Sequence, residues 1–548
     1  MSDPLTRLPR QLYLAQDVQK LDKIAIEEHG IDGIKLMQRA GTVTFNALLD
    51  QWPQSRCVRV FAGSGNNAGD GYIIARLALE HGLQSEVIQV GSPDLLRGDA
   101  RLAWELAVAK KVRTRSLADY LTATAADAGS SRTHTVIVDA MLGTGIDRAV
   151  SGSYALAINH INVLAADKTK IAVLAVDIPS GLNADTGMPF GLAVQADLTV
   201  TFIGMKQGLV TGRGREFAGR IVFSNLDVPE AIYSSKNSPA AASQRIDIND
   251  ATRHLLPRAI ASHKGDHGHV VVVGGDESHG GAVLLAAEAA LRTGAGLVSV
   301  ITRSVHRPAI LARRPELMVV GTEDYSNGDK AAGIESGGEA ACASISALLA
   351  RASAIIIGPG LGQSRWSRAL FQLALAAQSS RNIPLIVDAD GLRLLAEKPA
   401  TSTGVRRDNW ILTPHPGEAA QLLDISIAEI EQNRFAAVRA LQSKWGGSCL
   451  LKGSGSLICS SGNAEQKIFV STEGNPGMAS AGMGDVLSGI AGSLVAQGLS
   501  LADSIRCAVV IHGEAGDLIA QKQGARGLLA ADLFGVIPQL VNPCQDVI

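Results

Sequence analysis

The stretch Asn475-Pro476-Gly477-Met478-Ala479-Ser480-Ala481-Gly482-Met483-Gly484-Asp485-Val486-Leu487-Ser488-Gly489 places an acidic side chain where a glycine-rich segment opens into an apolar helix. First-turn amides of a helix have no partner inside it and attract anions, and glycine lets a phosphate come close. Asp485 would sit beside that anion. A carboxylate facing phosphate is unfavourable unless a cation or a proton-transfer role offsets it, which makes Asp485 a candidate catalytic base. A plain helix start whose aspartate complements the dipole is the competing interpretation.

Comparable turns occur earlier in the chain. The apolar run 58–62 leads into Gly63-Ser64-Gly65-Asn66-Asn67-Ala68-Gly69-Asp70-Gly71, after which a helix is expected to begin. Its glycines allow close approach of a phosphate and its polar side chains add oxygen and amide groups, although the Rossmann glycine spacing is broken. Two further runs end in Val138-Asp139-Ala140-Met141-Leu142-Gly143-Thr144-Gly145 and Val176-Asp177-Ile178-Pro179-Ser180-Gly181. Asn67, Asp139 and Ser180 therefore fall just past strand ends, an all-oxygen set suited to a hard cation. Each is also a natural cap for the turn or helix that follows.

The second half carries different words in the same grammar: Gly358-Pro359-Gly360-Leu361-Gly362, Asp388-Ala389-Asp390-Gly391, Thr413-Pro414-His415-Pro416-Gly417-Glu418 and Lys452-Gly453-Ser454-Gly455-Ser456. Lys452 lies outside any GxxxxGK[ST] frame, yet its ammonium can offset phosphate charge while neighbouring amides and hydroxyls contact a nucleotide. The histidines of His263-Lys264-Gly265-Asp266-His267-Gly268-His269 lack the cysteine or further acid partner of a typical zinc site.

Apolar runs at 58–62, 87–90, 136–138, 171–176 and 198–203, with helix-like stretches such as 72–81 between them, predict a mostly parallel sheet covered on both faces. Runs at 270–273, 297–301, 354–357, 385–387, 410–412 and 449–451 predict a second, with a helix over 282–293. The small, polar segment 233–243 reads as the linker, giving domains at 1–235 and 245–548. In open α/β sheets ligands bind beyond the carboxyl ends of the strands, where all these turns lie. A net charge of −2 leaves no electrostatic footprint for nucleic acid. Six cysteines without CxxC spacing argue against a zinc site or disulfide framework, and no apolar segment approaches the ~18 to 20 residues needed to span a bilayer. A cytoplasmic protein without membrane or nucleic-acid partners is expected.

Asn66 to Asp70, Asp139 to Gly145, Asp177 to Gly181 and the later Phe202-Ile203-Gly204-Met205-Lys206-Gln207-Gly208 together resemble the NAD(P)H-hydrate epimerase domain. That resemblance implies a Rossmann-like three-layer α/β/α fold acting on hydrated NADH and NADPH (NADHX and NADPHX) with a potassium ion. Its potassium ligands would be Asn67, Asp139 and Ser180. Substrate contacts would come from Asn66, Asn67, Ala68, Gly69 and Asp70, from Gly143, Thr144, Gly145, Ile146, Asp147, Arg148 and Ala149, and from Asp177. Inverting the hydroxylated C6 of the damaged ring needs a proton donor and acceptor, and Asp177 is the expected catalytic group.

From His263-Lys264-Gly265 through Gly482-Met483-Gly484-Asp485 the second half resembles the ribokinase-like superfamily, and within it the NAD(P)H-hydrate dehydratases. By that resemblance Ala282, Gly362, His415 and Asp485 would contact the hydrated cofactor, and Lys452, Gly453, Ser454, Gly455, Ser456 and Gly484 the adenine nucleotide, with Asp485 catalytic. It also implies ADP as phosphoryl donor with Mg2+, and a homo-oligomer. The rival is a ribokinase-like kinase for a vitamin precursor with a non-catalytic first domain; the fused epimerase-like half, whose substrate would be the other epimer, separates the two.

Overall fold

The computed structural model describes residues 8–126, 134–323, 337–397, 407–462 and 467–542. The chain divides into two compact units, Met1–Gln244 and Arg245–Ile548. The segment expected as a linker begins at the end of a short helical turn, Glu230–Tyr233, and reaches a strand, Ser243–Ile246, that carries the boundary.

The first unit holds a seven-stranded sheet in the order Arg113–Ser116, Gln84–Gln89, Cys57–Ala62, Thr135–Ala140, Ile171–Val176, Leu198–Phe202, Arg220–Ser224. Every neighbouring pair is parallel. Side chains alternate across a strand, and the two faces enter separate cores. Val136, Val138 and Ala140 join the cluster that includes Ile24, Ala40 and Ile73, whereas Ile137 joins Tyr120, Ile158 and Ile161. Both faces are thus covered, and three layers follow. Strand order reverses between Cys57–Ala62 and Thr135–Ala140, which opens a crevice at their carboxyl ends.

The second unit repeats the plan. Its parallel strands run Met318–Thr322, Leu297–Arg303, His269–Val273, Ala354–Ile357, Leu385–Val387, Trp410–Leu412, Ser448–Leu451. Ser456–Ser460 and Ile468–Ser471 then add antiparallel to one edge. Reversal here falls between His269–Val273 and Ala354–Ile357.

The helix Met483–Ala496 is buried along most of its length and packs on Gly280–Thr293. That approach depends on Gly489: a Cβ there would fall 2.2 Å from the Ala286 carbonyl oxygen and 2.6 Å from the Ala289 Cβ. Gly489→Ala should therefore destabilise the second unit by about 1–3 kcal/mol through overpacking. An exposed helical site would gain about 1 kcal/mol from the same change. Urea unfolding measures the sign.

Candidate active sites

In the first unit Asn66 opens the helix Asn66–Glu80, preceded by Gly65 with no side-chain cap; Ala68 N–H donates to the Gly65 carbonyl at 3.1 Å, which leaves the Asn66 and Asn67 amides to face an anion. The expected turn before this helix is six residues shorter than its sequence suggests: Asn66 and Asn67 are helical, because apolar positions from Ala68 onward bury against the sheet. Asp139 likewise is not past its strand. It is the penultimate residue of Thr135–Ala140, paired with Phe61 and Ala175.

The three expected cation ligands nevertheless converge. Ser180 donates its hydroxyl to Asp139 Oδ1 at 2.5 Å and its amide to Oδ2 at 2.7 Å, and Leu142 N–H donates to Ser180 Oγ at 2.8 Å. Asn67 Nδ2 donates to the carbonyl of that same Leu142, 3.2 Å away. This leaves Asn67 Oδ1 buried with no partner. Burial raises the Asp139 carboxyl to about 6 despite the opposing Ser180 and Met141 donors. An orphaned oxygen and a desolvated carboxylate in one pocket are what an alkali cation would satisfy.

A cavity of ≈ 610 Å³ opens at this switch point, lined by Asn66, Asn67, Asp70, Gly143, Thr144, Gly145, Ile146 and Asp177. Ala68 and Gly69 are buried behind it, while Asp147, Arg148 and Ala149 continue the loop as exposed residues outside the lining. Asp177 stands in a left-handed backbone conformation, φ 66°, with its amide donating to the Val200 carbonyl at 2.7 Å. Its Oδ1 accepts from Lys206 Nζ, Thr201 Oγ1 and the Phe202 amide. Lys206 is only 1% exposed. Sequence reasoning quoted Lys206 without giving it a role and overlooked Asp22, which also lines the cavity from the helix Ala15–Glu27.

In the second unit Asp485 lies in the first turn of Met483–Ala496, after Gly482 in a left-handed conformation and again with no side-chain cap. Burial, followed by the charge of Asp388, pushes its carboxyl to about 7, and Lys452 offsets only part of this. Lys452 is not a free nucleotide hook. Its ammonium contacts Asp388 Oδ1 at 2.7 Å and Glu418 Oε2 at 3.9 Å. Burial alone would raise the Asp388 carboxyl, but Lys452 and the Ser488 hydroxyl, 2.6 Å from Oδ2, hold it below the usual range. Gly484 lets the helix start reach this pair, since a Cβ there would be 3.4 Å from both Asp388 Oδ2 and Lys452 Nζ.

Other expected residues gather at the same strand ends. Gly362 N–H donates to Asp390 Oδ2 at 2.9 Å, and the Cβ of Ala282 borders Gly360 in the same glycine-rich turn. His415 caps the helix Pro416–Leu423, its Nδ1 accepting from the amides of Gly417 and Glu418. Gly453 leaves room for the buried Arg434 guanidinium to reach the Lys452 carbonyl at 3.1 Å. Ser456, expected in a loop, starts a strand and donates to the Gly453 carbonyl at 3.1 Å. Ser454 and Gly455 complete the turn between them. The histidines at 263, 267 and 269 serve as a cap or bond Ser262 and Ser299. Among the described residues no group of three His, Cys, Asp or Glu could hold a metal.

The family model described as NAD(P)H-hydrate dehydratase matches residues 270–539, and that described as YjeF-related protein N-terminus matches 33–208. Over 533 residues the chain is 41% identical to the bifunctional NAD(P)H-hydrate repair enzyme of Coxiella burnetii, covering 97% of this chain and 99% of that protein. The chain belongs to the bifunctional NAD(P)H-hydrate repair enzymes. The repair enzyme of Escherichia coli is 38% identical over 538 residues, 98% of this chain and 95% of its own. A solved ribokinase-like superfamily protein from Enterococcus faecalis is 28% identical, with TM-score 0.46, covering 54% of this chain and 94% of its own. Because repair-enzyme relatives align along both units, a kinase with an inert first half is not favoured. Among the described residues no helix is long and apolar enough to cross a membrane.

Proposed function

We propose that the first unit interconverts the R and S forms of hydrated NADH and NADPH, and that the second dehydrates the S form at the expense of ADP. What carries the reading is Asp485, a carboxyl poised at about 7 in the first turn of a helix with no side-chain cap, where an anion can be received. Hydroxide is a poor leaving group. Asp485 takes the C6 hydroxyl proton as that oxygen attacks the terminal phosphorus of ADP, and the helix amides hold the moving phosphoryl group. AMP departs, the ring nitrogen's electron pair expels phosphate from C6, and loss of a C5 proton restores the ring double bond.

The Lys452–Asp388 pair borders the helix start and places a positive charge near the phosphates; residues 452–456 and Gly484 contact the nucleotide. Ala282, Gly362 and His415 contact the hydrated ring or its ribose, His415 being half exposed although its Nε2 lies 3.4 Å from Glu418 Oε1. Mg2+, when bound with the nucleotide, would offset the charge of its phosphates.

In the first unit Asp177 exchanges a proton with the C6 hydroxyl. The amides at the start of Asn66–Glu80, with residues 143–149, hold the diphosphate. Asn67 Oδ1, Asp139 and Ser180 Oγ fit a potassium ion, which when bound neutralises the buried carboxylate and fixes the loop facing the substrate.

Mixed epimers of hydrated NADH supplied with ADP should return fully to NADH, followed by absorbance. If no NADH returns with either ADP or ATP, the proposal is wrong. Exchanging potassium for choline should slow epimerisation at least tenfold while dehydration of the pure S form stays unchanged. Asn67→Ala should lose that potassium response. Equal rates in potassium and choline would remove the ion from the site.

A further inference from the structure

Four carboxylates, Asp22, Asp70, Asp99 and Asp177, and one ammonium, Lys206, line the first unit's cavity. Lys206 is committed to Asp177, with Thr201 Oγ1 at 3.0 Å and the Phe202 carbonyl at 3.3 Å as its other contacts. No described residue donates a hydrogen bond to the side chain of Asp22 or of Asp70. Two unpartnered carboxylates in one cavity wall are costly if both ionise, so the wall retains a proton. Burial pushes the Asp22 carboxyl to about 6, with Lys206 opposing and Asp177 reinforcing the rise. Burial, then the charges of Asp177 and Asp22, push Asp70 well up. Tyr233 faces Asp22 from the turn Glu230–Tyr233 and its phenol is itself raised, chiefly by burial.

The R and S forms differ only at C6, which carries the hydroxyl and the bond to the ring nitrogen. Interconversion by ring opening removes the hydroxyl proton, breaks C6–N1 to leave an aldehyde, and sends the bonding pair to N1, which takes up a proton. Rotation about C5–C6 and the reverse steps close the ring on the other face. One group must accept a proton while another supplies one. Asp177 Oδ1 is filled by three donors, which leaves its other oxygen as the acceptor. We propose that Asp22 is the second proton-transfer group of the epimerisation, supplying the N1 proton that Asp177 cannot. Asp70 holds its proton more tightly, whereas a proton carrier works best when it titrates near the working pH.

The inference rests on the epimerase working in this cavity. R-to-S exchange of hydrated NADH is followed chromatographically without nucleotide, using the full chain. Asp22→Asn should lower kcat at least 100-fold with KM within threefold, and leave dehydration of the pure S form unchanged. In the wild type kcat should fall as pH rises through the Asp22 titration. That limb should vanish in Asp22→Asn and shift in Asp22→Glu, which should regain at least a tenth of the rate. A kcat within threefold of wild type, or an unchanged pH limb in Asp22→Asn, overturns the assignment. If Asp22→Asn does not fold, as seen by circular dichroism, Asp22→Glu decides: a displaced limb supports the role and an unmoved limb removes it. Asp177→Asn is run alongside. Full epimerase activity in that variant overturns the location of the epimerase itself rather than Asp22's part in it.

Discussion

Asp485→Asn should abolish recovery of NADH from either epimer, with the loss in kcat at least 10²- to 10⁴-fold, the usual contribution of a positioned base. Nothing downstream of the phosphoryl transfer can compensate, so pure S substrate and mixed epimers should fail alike. The pH dependence carries the sign. A carboxyl raised to about 7 is protonated and useless as a base below that pH, so wild-type dehydration should climb as pH rises through about 7 and then level. Bound phosphate adds negative charge beside Asp485 and moves the rise to higher pH. ADP binding by calorimetry should survive in Asp485→Asn, which separates a lost base from a lost fold. Retention of a tenth of the activity would remove Asp485 from the proton-transfer step.

Lys206→Met should cost the first unit about 3–5 kcal/mol, the typical penalty for stripping one partner from a buried ion pair. Lys206 is 1% exposed and, among the described residues, is the only Lys or Arg lining a cavity wall that also holds Asp22, Asp70, Asp99 and Asp177. Asp177→Asn added to Lys206→Met should restore most of that stability, since an amide needs no counter-charge. Epimerase activity should remain lost in both. Urea unfolding of the three variants closes the cycle, and a single mutant as stable as the wild type would mean that the pair is solvated rather than buried.

Central strands were legible because they are buried on both faces. Ile171–Val176, Ala354–Ile357, Leu385–Val387 and Trp410–Leu412 stand where uninterrupted apolar runs place them. The edge strand Arg113–Ser116 has the sequence RTRS with every residue at least partly exposed, so no apolar signal marks it; only pairing with Gln84–Gln89 makes it a strand. Ser456–Ser460 was hidden because serines at both ends of SLICS shorten its apolar run, although it is largely buried in its antiparallel pairing with Ile468–Ser471.

Site residues divide in the same way. Asp485 and Asp177 announce themselves by standing at glycine-bordered turns, where chemistry in such sheets takes place. Asp22 sits among Lys20 and Lys23 in an amphipathic helix and looks like surface charge; only the fold turns it toward the cavity. Lys452 has the opposite history. Its type and position suggested a phosphate hook, but a side chain buried between Asp388 and Glu418 is first of all their counter-charge.

Both compact units belong to one chain, so every molecule brings one copy of each site. An isomerase cannot alter the ratio of two epimers at equilibrium; it only shortens the time needed to reach it. Dehydration coupled to phosphoryl transfer runs one way and drains the S pool, so clearance of the R pool follows whichever unit turns over more slowly. Fixed equimolarity prevents this chain from supplying one unit in excess of the other: more copies of a damaged first unit bring equally many copies of the second.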